Sequence, residues 1–153
     1  MIEVMYQKPL TENAIRILQE GIRLDLIQEK EKPTLEQAIQ NINQMAQKGS
    51  MAVIVIDNVV FTLNRVTPFL GNLHLAIARN IKMKEVIDTC RQFAEWIWKN
   101  TQYNRIETRS PLKFTKVIGD ATHGDVDLLK ASFFDGEKML DEYLVGWIRP
   151  KGG

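Results

Sequence analysis

The residues best suited to chemistry lie where an apolar segment leads through a short basic loop into a helix. Residues 72–78 predict a strand, Arg79, Lys82 and Lys84 give the loop its positive charge, and a long helix follows up to Asn100. The first N–H groups of a helix have no intrahelical partner and lie at the positive end of its dipole, so such a junction is suited to binding a phosphate group. The alternative is a core strand with its covering helix and solvated lysines.

The helix is indicated by apolar residues that recur at intervals of three and four. These residues are Val86, Cys90, Phe93 and Ile97. Mainly polar residues occupy the other side, as is typical of an amphipathic helix. The continuous apolar run over residues 52–56 predicts a strand that is buried on both faces. We expect the apolar stripe of the helix to pack against the sheet that contains this strand.

Composition excludes several classes of protein. The chain has 153 residues, of which 44% are hydrophobic and 25% are charged. These values are typical of a globular domain, and we expect residues 1–153 to form a single one. No apolar run approaches the roughly 20 residues of a membrane span, and the N-terminus lacks a signal-peptide pattern. Because a net charge of +1 gives no general attraction to nucleic acid, we expect a cytoplasmic protein without membrane or nucleic-acid partners.

Cysteine and histidine usage predicts neither a disulfide nor a metal site. The single cysteine, Cys90, excludes an internal disulfide, and its place on the apolar stripe indicates an inert core thiol. The two histidines, His74 and His123, are far apart in the sequence and do not have the spacing of metal ligands.

Cap and turn residues divide the chain into an α/β series of elements. A first strand precedes two helices, the first capped by Thr11 and the second by a capping box of Thr34 and Gln37. Three strands in a meander then lead to the long helix.

The last third of the chain predicts a strand, a short helix and a hairpin. The strand covers residues 105–109, and the helix opens at Ser110 with Pro111 at its first position. The hairpin joins strands over residues 126–134 and 139–148 through a turn at Asp135 and Gly136.

This order of elements resembles the GNAT superfamily of acetyl-CoA-dependent N-acetyltransferases over essentially the whole chain. The run Arg105-Ile106-Glu107-Thr108-Arg109-Ser110, followed by residues 114–119, is similar to the family's fifth strand and short helix. The resemblance implies an α/β fold with a mixed, largely antiparallel sheet flanked by helices and a C-terminal hairpin. It also implies that the fourth and fifth strands splay apart to admit the pantetheine arm. Residues 113–119 and the C-terminal Lys-Gly-Gly are also similar to small GNAT-like proteins of tailed bacteriophages.

The resemblance implies a binding site for acetyl-CoA as co-substrate, with no metal. The residues at the matching positions are Ile77, Ala78, Arg79, Lys82, Met83, Lys84 and Ser110. The family loop reads Arg/Gln-x-x-Gly-x-Gly/Ala, so this chain keeps the arginine and has lysine at both small positions. Glycine allows close approach of phosphate to backbone N–H groups, whereas lysine restores charge but not that clearance.

Acetyl transfer to an amine requires a base, and the resemblance directs attention to His74 and Glu107 on the two splayed strands. The family's acid tyrosine is matched by Thr115, and its asparagine at the end of the fifth strand by Ser110. Alternatively, His74 is a hydrogen-bonded structural residue and Glu107 pairs with a neighbouring arginine.

Two functions are consistent with these residues. The first is an N-acetyltransferase, of phage or other origin, that uses acetyl-CoA and an unidentified amine or protein acceptor. The second is a non-catalytic descendant of the fold that serves as a phage virion or protein-interaction component. The changed loop and Thr115 favour the second function, whereas the strand–helix frame favours the first. Five aromatic residues predict apolar surface for a homo-oligomer or a protein partner, namely Trp96, Phe133, Phe134, Tyr143 and Trp147.

Overall fold

The computed structural model describes residues 2–22, 33–111, 126–135 and 138–150. The elements within these residues are, in chain order, β1 (Ile2–Met5), α1 (Glu12–Gly21), α2 (Leu35–Lys48), β2 (Met51–Ile56), β3 (Val59–Thr67), β4 (Leu70–Ile77), α3 (Met83–Asn100), β5 (Arg105–Pro111), β6 (Val126–Asp135) and β7 (Lys138–Ile148). The strands form one sheet in the order β1-β2-β3-β4-β5-β7-β6. All neighbours are antiparallel except β4 and β5, which are parallel. The predicted mixed, largely antiparallel α/β fold is therefore confirmed.

Local hydrogen bonds explain where the first two helices begin. The Thr11 hydroxyl accepts a hydrogen bond from the Ala14 N–H at 3.2 Å. Thr34 and Gln37 form the predicted capping box, since each side chain accepts a hydrogen bond from the backbone N–H of the other residue. These bonds pair N–H groups that a helix end otherwise leaves unsatisfied.

The sheet carries a core on each face. Successive side chains of its central strands point alternately toward α3 and toward α1 and α2. In β2, Ile54 and Ile56 belong to the core beneath α3, whereas Val53 and Val55 belong to the core beneath α1 and α2. Successive side chains of a strand point to opposite faces, so a continuous apolar run is what a doubly covered strand requires. The prediction for residues 52–56 is confirmed.

The predicted apolar stripe of α3 is also buried. Val86, Cys90, Phe93 and Ile97 are each at most 6% exposed. The Phe93 ring stacks on Phe61 with ring centroids 4.1 Å apart. Phe93 also contacts the Trp147 ring at a centroid distance of 5.9 Å. This cluster joins α3 to β3 and β7.

The predicted helix start at Ser110 and Pro111 is wrong. Both residues continue β5 and pair with Tyr143 and Glu142 of β7. Pairing with a distant strand outweighs the local helix signal, and proline is tolerated at a strand end because its missing N–H removes no interior ladder bond. The rest of the predicted helix, including Thr115, lies outside the described residues. The C-terminal hairpin is confirmed, with β6 and β7 paired from Val126 to Asp135.

The expected apolar surface differs from the observed one. Trp147 is only 1% exposed because it packs beneath α3, so its assignment to a surface patch is wrong. Trp96 is partly buried against the same core. Val66 and Phe69, near the turn between β3 and β4, are instead 58% and 54% exposed. The side chains of residues 133, 134 and 143 lie outside the described part of the structure. None of the described helices is both long and apolar enough to cross a membrane.

Candidate active site

The central feature of the site is the divergence of the two parallel strands. β4 and β5 pair at Leu70–Arg105, Gly71–Ile106 and Asn72–Glu107, and Asn72–Glu107 is the last pair. Beyond it β4 continues to Ile77 and β5 to Pro111. The strands therefore separate over their C-terminal halves, and the predicted splayed pair is confirmed.

The open edge of β4 presents backbone groups toward the space that β5 leaves. The Ala78 N–H donates to the Asn58 carbonyl at 3.0 Å, on the side of β3. Because N–H and C=O groups alternate between the two edges of a strand, those of Leu75 and Ile77 point to the side of β5. An extended ligand that contains amide groups can pair with such an edge in the manner of an added strand.

The open edge leads directly into the basic loop and the start of α3. Ala78 is buried, Asn80 has a positive φ of 62°, and Arg79 is exposed. Lys82 is the N-cap of α3 and makes no side-chain cap hydrogen bond, in contrast to the threonines that cap the other two helices. Since no side chain caps this end, a bound anion can take that place at the first turn of α3.

Two residues predicted as loop positions belong to the helix instead. α3 begins at Met83, so Met83 and Lys84 form its first turn. Both residues are exposed, as is Lys82. The lysines therefore concentrate positive charge around the start of α3, where the helix dipole has the same sign.

The two candidate bases lie on the same face of the sheet. Glu107 pairs in register with Asn72, and His74 follows Asn72 by two residues, so all three side chains point toward the α1–α2 face. His74 is exposed. The Glu107 carboxylate lies 3.5 Å from the Arg105 guanidinium, which is one of the ion pairs that the sequence allowed. Ser110 is three residues beyond Glu107 in β5, and its side chain lies outside the part of the chain that the structure describes.

Asn72 is a further candidate residue, which the sequence alone did not single out. It lies where the strands diverge, and its side-chain oxygen is buried with no hydrogen-bond partner among the described residues. Buried polar atoms are normally paired, so this one marks the divergence as a polar position within an apolar strand. The available signal was the alternation of Asn72 and His74 with leucines in β4, which predicts one polar face.

A separate cavity of about 480 Å³ lies between α1, the turn from β2 to β3, and α3. Its lining is mostly polar and includes Arg16, Asp57, Glu85 and Asp88. None of the predicted site residues lines it, and neither β4 nor β5 contributes to it. It is therefore distinct from the cleft between the splayed strands.

The described residues offer no thiol or metal chemistry at the cleft. Burial raises the pKa of the Cys90 thiol to about 12, so this side chain stays protonated and unreactive near neutral pH. Within the described ranges, no group of three or more His, Cys, Asp or Glu side chains could hold a metal ion.

The mixed sheet with its splayed parallel pair matches the fold of solved GNAT acetyltransferase structures. Among solved structures, spermidine N-acetyltransferase from Vibrio cholerae in complex with CoA and spermine has a TM-score of 0.64 at 10% identity, covering 97% of this chain and 95% of that chain. Ribosomal-protein-S5-alanine acetyltransferase from Vibrio fischeri has a TM-score of 0.64 at 12% identity, covering 99% and 94%.

A third solved structure carries the family name itself. An acetyltransferase of the GNAT family from Streptococcus pneumoniae has a TM-score of 0.60 at 10% identity, covering 98% of this chain and 100% of that chain. No protein-family model and no curated protein matches the sequence. At these identities the likeness shows the fold, and the activity has to be argued from the site.

Proposed function

We propose that this chain is an N-acetyltransferase that transfers the acetyl group of acetyl-CoA to an amine. The observation that carries the proposal is the separation of β4 and β5 after the Asn72–Glu107 pair, directly before a basic helix start without a side-chain cap. A neighbour with the same fold is described as a complex with CoA and spermine, which supports a CoA thioester and an amine as the two ligands.

The cleft suits the two chemically different parts of CoA. The pantetheine arm is an extended chain with two amides, which matches the open main-chain edge at Leu75. The pyrophosphate matches the start of α3, where Arg79, Lys82 and Lys84 supply charge. Because lysine replaces the small residues of the family loop, we expect binding to rely on charge more than on close backbone contact, and hence to weaken as salt increases.

The transfer itself needs one proton to be removed and one to be returned. The amine loses a proton and its nitrogen bonds to the thioester carbonyl carbon, while the carbon–sulfur bond breaks and the CoA sulfur leaves as a thiolate that takes up a proton. His74 is the stronger candidate for the base because its side chain is exposed on the α1–α2 face. Glu107 is the second candidate, and its carboxylate forms an ion pair with Arg105.

No feature of the described fold specifically favours the non-catalytic alternative. The solved structures that share the fold and are described above are acetyltransferases. The lysines at the two small positions and Thr115 are the sequence features that argued for it, and Thr115 lies outside the described residues. The alternative is therefore an outcome of the test rather than a second proposal.

Titration calorimetry with acetyl-CoA tests the proposal directly. Measurements at ionic strengths of about 0.01 M and about 0.15 M should show binding at both and weaker affinity at the higher one, because the screening length falls from about 30 Å to about 8 Å. Turnover is then followed by thiol release with a panel of polyamines and peptides. The buried Cys90 should not add to that signal. Absence of acetyl-CoA binding at low salt would overturn the proposal, and binding without turnover for any amine would favour the non-catalytic alternative.

A further inference from the structure

The last residue of α1 touches the backbone of β4 in a way that no side chain would allow. A Cβ atom built on Gly21 would lie 2.4 Å from the Ile77 carbonyl oxygen and 2.5 Å from the Ile77 nitrogen. Both distances are shorter than real Cβ contacts, and the atoms belong to a strand backbone that cannot rotate away. The helix and the strand can be this close only because residue 21 is glycine.

Backbone conformation does not explain this glycine. Gly21 is the last helical residue of α1, and among the described glycines only Gly49 has a positive φ. Glycine is a poor helix former, so an alanine would favour the helix if space allowed it. The contact with Ile77 therefore accounts for the absence of a side chain at residue 21.

The contact falls on the backbone groups that face the cleft. The Ile77 N–H and C=O point away from β3, because the neighbouring Ala78 N–H bonds to Asn58 on the side of β3. β5 no longer pairs with β4 at this level, since the last pair is Asn72–Glu107. α1 therefore covers the open edge at Ile77. The main-chain groups of Leu75 are the ones that remain for a ligand to pair with.

The same contact fixes the first residues of the basic loop. Ala78 is held on one side by its hydrogen bond to Asn58, and Ile77 is held on the other by Gly21. Arg79 and the start of α3 follow directly. A displacement of Ile77 would therefore shift the groups that are proposed to bind the pyrophosphate.

We propose that Gly21 is a positioning residue for the acyl donor: it lets α1 close the far end of the cleft and holds the β4–α3 loop where CoA phosphates bind. This inference rests on the proposed function. It assigns α1 a role in CoA binding that is separate from recognition of the amine.

Gly21→Ala and Gly21→Val test the inference against the wild type, with Gln19→Ala as a matched control because Gln19 is exposed in the same turn of α1. We expect Gly21→Ala to raise the Kd and the KM for acetyl-CoA about tenfold or more, since small displacements of bound groups have large effects. The KM for the amine should stay unchanged, which a general loss of structure would not produce. Gln19→Ala should behave as the wild type. A folded Gly21→Ala protein with wild-type acetyl-CoA affinity overturns the inference.

Hydrogen exchange on the wild type gives a second measurement if the variants fail to fold. Acetyl-CoA should slow exchange of the amides at the end of α1 and at the end of β4 together. Protection of β4 without any change in α1 overturns the inference but not the proposed function. A wild type that does not bind acetyl-CoA overturns both.

Discussion

Asn72 and Glu107 form the last register pair between β4 and β5, and both side chains lie on the face covered by α1 and α2. The pair divides β4 into a first part with a partner on each edge and a second part that is bonded only to β3. The pair therefore lies at the base of the opening between the two strands, where the sheet stops being continuous.

Charge reversal at the start of α3 should abolish binding of acetyl-CoA. Lys82→Glu with Lys84→Glu replaces two attractive charges by two repulsive ones beside the proposed pyrophosphate position. We expect the Kd at low salt to rise on the order of 100-fold or more, as measured by calorimetry.

The matched control for this change is Lys8→Glu with Lys99→Glu. It alters the net charge equally at two exposed positions, one in the loop after β1 and one in the last turn of α3. It should leave the Kd nearly unchanged. Equal affinities of the two double variants would show that the loop does not contact the ligand.

Phe93 should contribute strongly to the stability of the fold. Its ring is fully buried and contacts Phe61 and Trp147, so Phe93→Ala removes a large apolar side chain from the centre of the α3 core. We expect a loss of about 3–5 kcal/mol in the free energy of unfolding, measured with denaturant. Gln92→Ala, on the exposed side of the same helix, should change it by less than about 0.5 kcal/mol. A loss below about 1 kcal/mol for Phe93→Ala would contradict the packing described here.

The alternation of residues 53–56 and the stripe of α3 could be predicted because each depends on a period within one element. The end of β5 could not, since Ser110 and Pro111 are strand residues only through pairing with β7 some thirty residues later in the chain. The divergence of β4 and β5 was predicted from the resemblance of the whole chain to a known family. No residue in β4 indicated by itself that it begins after Asn72. The approach of Gly21 to Ile77 joins two elements more than fifty residues apart and left no local pattern.

Arg149 should stabilise the end of α3. Its guanidinium donates hydrogen bonds to the carbonyls of Trp98, Thr101 and Tyr103 and lies 5.2 Å from the centroid of the Trp98 ring. These carbonyls belong to the helix C-terminus and the following loop, where acceptors lack intrahelical partners. Arg149→Ala should lower the free energy of unfolding by about 2–3 kcal/mol.

Arg149→Lys and Arg16→Ala serve as comparisons for this change. Lysine keeps the charge but loses the planar fork, so we expect it to recover less than half of the stability. Arg16 makes an exposed ion pair with Glu20 at 3.3 Å, and its removal should cost less than about 1 kcal/mol. Equal effects of Arg149→Ala and Arg16→Ala in chemical denaturation would show that the three carbonyl contacts do not stabilise the native state.

Cys90 should be inert in the folded protein and should make stability fall at high pH. Burial raises its pKa from 9.0 to about 12, so the Cys90 thiol is protonated in both the folded and the unfolded chain well below pH 9. Above that pH the unfolded thiol ionises first, and the free energy of unfolding decreases until the pH passes about 12. Cys90→Ala should reduce this decrease relative to the wild type. Thiol labelling at pH 8 should require denaturant, and rapid labelling of the native protein would contradict the burial of α3.

His74 and Glu107 separate the catalytic proposal from the non-catalytic alternative. If His74 removes the amine proton, His74→Ala should lower kcat on the order of 100-fold or more while the Kd for acetyl-CoA stays unchanged. Glu107→Gln should have a smaller effect on kcat, because the Glu107 carboxylate is engaged by Arg105 at 3.5 Å. Glu95→Gln, on the exposed side of α3, is the matched control for the loss of a carboxylate.

The outcomes of this comparison are distinct. Wild-type turnover of about 1 per second or faster with any amine excludes the non-catalytic alternative. A drop in kcat for Glu107→Gln that exceeds the drop for His74→Ala would assign the proton transfer to the carboxylate on β5. Full activity of both variants would place the base at neither of these two positions of β4 and β5.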